Sequence, residues 1–152
     1  MRETARRLEQ SFERIAATRM RGLPFVNPAL RVELVGLTEW NGEGIAVLVT
    51  PWAINAILIP GPGKWTSLPP GAERFAELPA GRFRFISARD EDAGEFHACS
   101  LFSATLGFED HEAARIAARA ALQALLTPGM EPARPLTRRD FLRGAARAGH
   151  AD

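Results

Sequence analysis

Residues 44–63, GIAVLVTPWAINAILIPGPG, carry no charged side chain and form the most apolar run in the chain. About 20 uncharged residues are enough to be tested as a membrane-spanning helix. Pro51 stands in the middle of the run, where it costs a helix about 3 kcal/mol, and Thr50 and Asn55 add polar groups beside it. β-Branched residues fill both halves: Ile45, Val47 and Val49 before the proline, Ile54, Ile57 and Ile59 after it. This pattern predicts two strands, apolar on both faces and joined through the corner Thr50-Pro51-Trp52, with no membrane span. The remainder of the chain then has to supply the layers that cover them.

Residues 3–21 predict one such layer. Ala5, Leu8, Phe12, Ile15 and Ala16 recur at helical spacing, with Arg6, Glu9, Glu13 and Arg14 between them. Gly22 and Pro24 end the helix. Residues 30–40 read as the first strand, and Asn41-Gly42 as the hairpin turn into the apolar run. Pro60 and Pro62 lack backbone donors, so the ladder stops at the Pro60-Gly61-Pro62 bend, and a Gly/Pro/Ser loop carrying Trp65 follows. Residues 73–78 read as a short helical turn. Arg82-Phe83-Arg84-Phe85-Ile86 alternates as a half-exposed strand with both phenylalanines inward. An acidic loop at 89–92 leads to a further strand over 95–102. The second helix is expected from about residue 109 to 126, with Glu109, Asp110 and Glu112 at its positive end. A small-residue stripe of Ala113, Ile116, Ala117, Ala120 and Ala124 would face the sheet, with Arg115 and Arg119 opposite. The expected fold class is α+β: a mainly antiparallel sheet of about five strands flanked by N- and C-terminal helices. Residues 1–130 make the domain, and the basic, Ala/Gly-rich residues 131–152 a linker and tail.

Nineteen basic against 18 acidic residues leave a net charge of +1, so charge gives no argument for nucleic acid as a partner. A single cysteine excludes an internal disulfide and suits a reducing compartment, and the N-terminus has no apolar signal block. A soluble cytoplasmic protein is expected. His97 and Cys99 lie two apart on a strand and share a face, which raises a thiolate–imidazole nucleophile or a redox sensor. The sequence shows no orienting partner for His97, and a lone strand cysteine more often serves as a small buried apolar residue. His111 and His150 complete no zinc spacing. Gly61-Pro62-Gly63-Lys64 fails as a phosphate loop, because the proline removes a needed donor. No metal or cofactor is expected, and elimination favours binding over catalysis.

Two features remain for a binding function. Trp40, Trp52 and Trp65 stand beside loops, where an indole either caps a core or anchors a peptide groove. The tail holds Thr137-Arg138-Arg139-Asp140-Phe141-Leu142-Arg143, which fits the twin-arginine export pattern Ser/Thr-Arg-Arg-x-Phe-Leu-Lys with Arg in the last place. Its position and the short charged stretch after it rule out service as a signal peptide. A capping-box-like pair of Thr137 and Asp140 is the plain structural reading, and mimicry of an export signal is the functional one.

Further blocks of sequence carry a resemblance: Asn27-Pro28-Ala29-Leu30, Val35-Gly36-Leu37 with Trp40, Val49-Thr50-Pro51-Trp52 with Asn55, Leu58-Ile59-Pro60-Gly61-Pro62 with Trp65, and Cys99-Ser100-Leu101-Phe102-Ser103 with Phe108. In order and spacing the chain resembles the HybE/HupJ family of [NiFe]-hydrogenase assembly chaperones over roughly residues 10–127. The resemblance implies a secretion-chaperone-like α+β fold and a cytoplasmic, non-enzymatic role in hydrogenase maturation. It implies, as partners, the small-subunit precursor with its twin-arginine signal and the large subunit, with export delayed until assembly is complete; for the tail, an approach to the twin-arginine translocase is an alternative to mimicry of the client signal. It also implies a client surface formed or supported by Trp52, Asn55, Pro60, Gly61, Pro62, Trp65, Cys99 and Phe102. The competing expectations are the thiol enzyme or redox sensor and a general secretion chaperone.

Overall fold

The computed structural model describes residues 1–129, so the tail and its twin-arginine-like segment lie outside the described residues. The uncharged run forms two antiparallel strands, β2 (Glu43–Val49) and β3 (Ile54–Pro60), paired from Glu43 opposite Pro60 to Val49 opposite Ile54. Before them, α1 spans Arg2–Ala17 and β1 spans Glu33–Trp40. After them come β4 (Glu73–Leu78), β5 (Gly81–Asp90), β6 (Gly94–Phe102) and α2 (His111–Leu125). The six strands make one antiparallel sheet in the order β1-β2-β3-β6-β5-β4.

The two helices take opposite faces of this sheet. Ala5 and Leu8 of α1 pack with Ala46, Leu48, Ile57 and Ile59. Ala114, Ala118, Ala121 and Leu125 of α2 pack with Val47, Val49, Ala56 and Phe85. β2 and β3 are therefore covered on both sides, which is why they show no polar alternation. Asn41 and Gly42, at φ 52° and 79°, make the expected hairpin turn. In β1 the register shifts between Val35 and Thr38 at Gly36, whose φ of 73° marks a bulge, and Leu122 of α2 packs into the space a side chain there would fill.

Two expectations need correction. Residues 73–78 are a strand, not a helical turn, which makes the sheet six-stranded. Ala76 and Leu78 point inward, while Phe75 lies outward, 49% exposed beneath the Arg82 guanidinium at 4.4 Å. An outward aromatic broke the period-two pattern that the sequence is read by. In α2 the buried face is Ala114, Ala117, Ala118, Ala121, Leu122 and Leu125, and Ile116 is 54% exposed. With alanine on nearly every side, the two leucines and His111 set the inward direction. His111 is buried, accepts the Arg31 N–H at 3.2 Å through Nδ1, and places Nε2 2.7 Å from Glu33. The expected N-terminal start holds, since the Asp110 side chain accepts the Ala113 N–H at 2.8 Å.

Candidate functional site

The residues singled out in the sequence fall into three places. Asn55 shares the α1 face with Ile57 and Ile59, one step from Trp52, whose ring lies 6.3 Å from Phe12. Trp65, Cys99 and Phe102 lie on the α2 face. Gly61 and its neighbouring prolines sit at the other end of β3, stacked on the β1–β2 turn. The Gly63 N–H donates to the Gly42 carbonyl at 2.8 Å, and a Cβ on Gly61 would lie 2.5 Å from that same oxygen.

The Trp52 corner is held by a buried polar clamp. Asn27 donates through its side-chain amide to the carbonyls of Thr105 and Phe108, both at 2.9 Å, and its own N–H donates to the Pro51 carbonyl at 2.8 Å. The Thr105 hydroxyl donates to that same Pro51 carbonyl at 2.6 Å. Thr50 closes the turn by donating to the Ala53 carbonyl at 2.7 Å. These bonds satisfy backbone groups that the corner takes out of the ladder. Asn27-Pro28-Ala29-Leu30 and the 103–108 loop thus fix the orientation of Trp52.

Beneath Trp65 runs a chain of polar side chains, Glu43–Arg74–His97–Glu95. Arg74 places two nitrogens on the two Glu43 oxygens at 2.9 and 2.7 Å and one of them 3.2 Å from His97 Nδ1. His97 Nε2 lies 2.7 Å from Glu95. Guanidinium only donates, so Nδ1 accepts and the ring proton sits on Nε2, directed at Glu95. Glu95 also receives the Ser67 hydroxyl and the Leu68 N–H. Burial pushes its carboxyl up, but these donors outweigh burial and hold it down at about 2. The indole of Trp65 stacks on His97 with centroids 4.4 Å apart, and its Nε1 is buried without a hydrogen-bond partner.

His97 therefore has orienting partners that the sequence did not reveal, and they occupy both ring nitrogens. Neither nitrogen serves Cys99. Burial pushes the Cys99 thiol up to about 11, only partly opposed by Arg84, so at neutral pH it is the unreactive protonated form. The pair is built as packing rather than as a nucleophile and base. Among the described residues no group of three or more His, Cys, Asp or Glu side chains is arranged to hold a metal ion, and no helix is long and apolar enough to cross a membrane.

A feature the sequence reading missed lies on the α1 face. A cleft of about 520 Å³ opens between the C-terminal half of α1 and the β5–β6 turn. Phe12, Ile15 and Phe96 form its apolar floor, with the Phe12 and Phe96 rings edge to face at 6.2 Å. Its rim carries both signs of charge. Asp90 is committed to the turn, accepting from Ser11 at 2.6 Å and from the N–H groups of Asp92 and Ala93. Asp92 pairs with Arg14. Glu91 and Arg19 make no ion pair among the described residues. Phe12 and Ile15 read from sequence as core and 89–92 as a solvated loop; the visible signal was that the apolar stripe of α1 continues past Leu8. The cleft adjoins Trp52 through Phe12, so one of the expected residues borders it.

Comparison with known proteins places this geometry. The family model described as "[NiFe]-hydrogenase assembly, chaperone, HybE" matches residues 3–144. The "Hydrogenase expression/formation protein HupJ" of Bradyrhizobium diazoefficiens is 39% identical over 147 residues, covering 90% of this chain and 85% of that protein. The "Probable rubredoxin HupJ" of Rhodobacter capsulatus is 39% identical over 116 residues, which cover 76% of this chain but only 42% of that longer protein. The solution structure of HybE from Escherichia coli superimposes with a TM-score of 0.67 at 22% identity, over 81% of this chain and 76% of that one, and supports the fold.

Proposed function

The chain belongs to the HybE family of [NiFe]-hydrogenase assembly chaperones, and from that premise we propose that it holds a hydrogenase precursor subunit in the cytoplasm and delays its export until assembly is complete. The client is the small-subunit precursor, gripped through its twin-arginine signal. The large subunit is a second partner, and the twin-arginine translocase receives the released complex. The observation that carries this reading is the open cleft of about 520 Å³ beside α1, which is bordered on its apolar side by Phe12 and Ile15 of the helix and by the largely buried Phe96 of β6. A Phe-Leu pair following two arginines has the chemistry to fill it. Each apolar side chain fully buried on that floor contributes about 1.5–3 kcal/mol. Guanidinium groups find carboxylate at Glu91 on the rim, an exposed contact worth at most about 1 kcal/mol that sets register rather than affinity. The sum, less the cost of ordering the peptide, describes a grip that can be released.

Co-purification from hydrogenase-expressing cells tests the proposal. The full chain should recover the small-subunit precursor, and Ile15→Glu, which puts charge on the cleft floor, should lose it while melting normally. Recovery of unrelated twin-arginine precursors in equal amount would instead indicate a general secretion chaperone. Equal recovery by Ile15→Glu would remove the cleft from the reading.

A further inference from the structure

β4 is an edge of the sheet, and its free side is open. The Ser87 N–H donates to the Ala72 carbonyl at 2.9 Å, and Glu73 stands opposite Ile86. Bonded and non-bonded pairs alternate along an antiparallel ladder. Arg74, Ala76 and Leu78 therefore exchange bonds with β5, and the N–H and C=O groups of Glu73, Phe75 and Glu77 point away from the sheet. No described residue bonds to those groups. The other edge is treated differently. β1 breaks its ladder with the bulge at Gly36, and the Glu9 carboxylate takes the Leu34 N–H at 2.7 Å. β4 has no proline, lysine or bulge over its six residues. A cavity of about 130 Å³ opens along it, lined by Trp40 and Leu58 as well as by β4 itself.

The side chains on that edge decide what can pair with it. Glu73, Phe75 and Glu77 share the outer face, and a residue on an added strand lies about 5 Å from the one it faces. The arginines that pair with these glutamates, Arg84 with Glu73 at 2.7 Å and Arg82 with Glu77 at 3.7 Å, belong to β5. They start one strand farther off, at about 10 Å, where salt screens exposed charges. Arg84 takes one Glu73 oxygen and leaves the second free to accept. A second copy of the chain is a poor match. The two-fold register that pairs all three outward residues sets each Glu73 against the Glu77 of the other copy, like charge on like charge.

We propose that β4 accepts, as a seventh and antiparallel strand, an extended segment of a partner polypeptide in which an apolar residue has lysine or arginine two places before and two places after it. The cations face Glu73 and Glu77, the apolar residue faces Phe75, and the residues between them turn inward over Trp40 and Leu58 at the cavity. Backbone bonds hold the segment, and the alternation of side chains selects it. This edge shares no residue with the cleft beside α1, and the inference does not depend on what the cleft binds.

Titration of the full chain with the probe acetyl-Lys-Val-Phe-Val-Lys-amide tests this. Binding should slow hydrogen exchange at the amides of Glu73, Phe75 and Glu77 and leave that of Ala76, already bonded to β5, little changed. N-methylation of the probe's phenylalanine amide, which faces β4, should weaken binding about tenfold or more, and N-methylation of a valine amide, which faces away, less than about threefold. Glutamate in place of both probe lysines should weaken binding about tenfold, and Glu73→Gln with Glu77→Gln should erase that preference. Ile15→Glu, in the cleft, should bind the probe as the unaltered chain does. No binding at millimolar probe, binding indifferent to the phenylalanine methyl group, or a complex that slows none of the three amides overturns the proposal. Slow exchange at those amides in the free protein would put the chain's own tail on the edge if it holds at every concentration, or a second copy if it grows with concentration. Either result overturns the partner.

Discussion

The Arg74 guanidinium, on the edge strand β4, grips both oxygens of Glu43 on β2 at 2.9 and 2.7 Å, although three strands lie between them in the sheet. Such a contact requires the sheet to curl, bringing its far edge back over the α2 face. The pair is mostly removed from water, with side chains 27% and 12% exposed. Removing one partner leaves the other charge uncompensated, which costs about 3–5 kcal/mol in a fully buried pair. The partial exposure of Arg74 reduces this, so Arg74→Met should cost about 2 kcal/mol and lower the Tm by about 4–8 °C. Denaturation of Arg74→Met, Glu43→Leu and the double variant measures it. The double variant should recover much of the loss, because no lone charge remains buried.

Acid should find Glu95 next. Its carboxyl is held down at about 2 against an ordinary 4.5, so the unfolded chain takes up this proton first as pH falls. The stability it contributes is complete above about pH 4.5 and disappears as pH drops toward about 2. Glu95→Gln should lower stability at pH 7, where it gives up charge-assisted bonds worth about 2 kcal/mol. It should also flatten the fall between those two pH values. Urea midpoints collected from pH 2 to 7 for both proteins check the slope.

What the sequence could reveal depended on the range of each interaction. The strands of residues 44–63 were legible because an uncharged, β-branched run interrupted by Pro51 has few other solutions. The start of α2 was legible because Asp110 caps it locally. Phe75, an apolar residue turned to solvent, hid β4. Near-uniform alanine hid which side of α2 faces inward. The Glu43–Arg74–His97–Glu95 chain joins residues far apart in sequence through sheet curvature, which no local pattern encodes. The cleft was missed for a related reason. The stripe Leu8, Phe12, Ile15 tells which side of α1 is apolar, not how much of the sheet remains to cover it.

The Pro60-Gly61-Pro62 bend gives a third prediction. A Cβ on Gly61 would stand 2.5 Å from the Gly42 carbonyl oxygen, and the near contacts are backbone atoms, so no flexible side chain can yield. Gly61→Ala should therefore force the bend off the β1–β2 turn at about 1–3 kcal/mol. The local reporter is the Gly63 amide, whose bond to the Gly42 carbonyl should open. Hydrogen exchange at Gly63 should speed up in the variant well beyond what the change in global stability explains. Equal acceleration at every amide would mean the bend is not held by this contact.

Cys99 separates a holder of clients from a thiol enzyme. Its thiol is pushed up to about 11 by burial against the α2-side core, and both nitrogens of His97 are engaged by Arg74 and Glu95. Thiolate is the reactive species, so alkylation at pH 8 should be far slower than for an exposed cysteine and should reach the ordinary rate in denaturant. Cys99→Ala keeps the small apolar volume nearly intact and should cost about 1 kcal/mol or less. Recovery of the precursor by Cys99→Ala should equal that of the unaltered chain. Rapid alkylation of the folded protein, or loss of client recovery in a Cys99→Ala chain that melts normally, would instead give the thiol a chemical role and require the His97 network to rearrange.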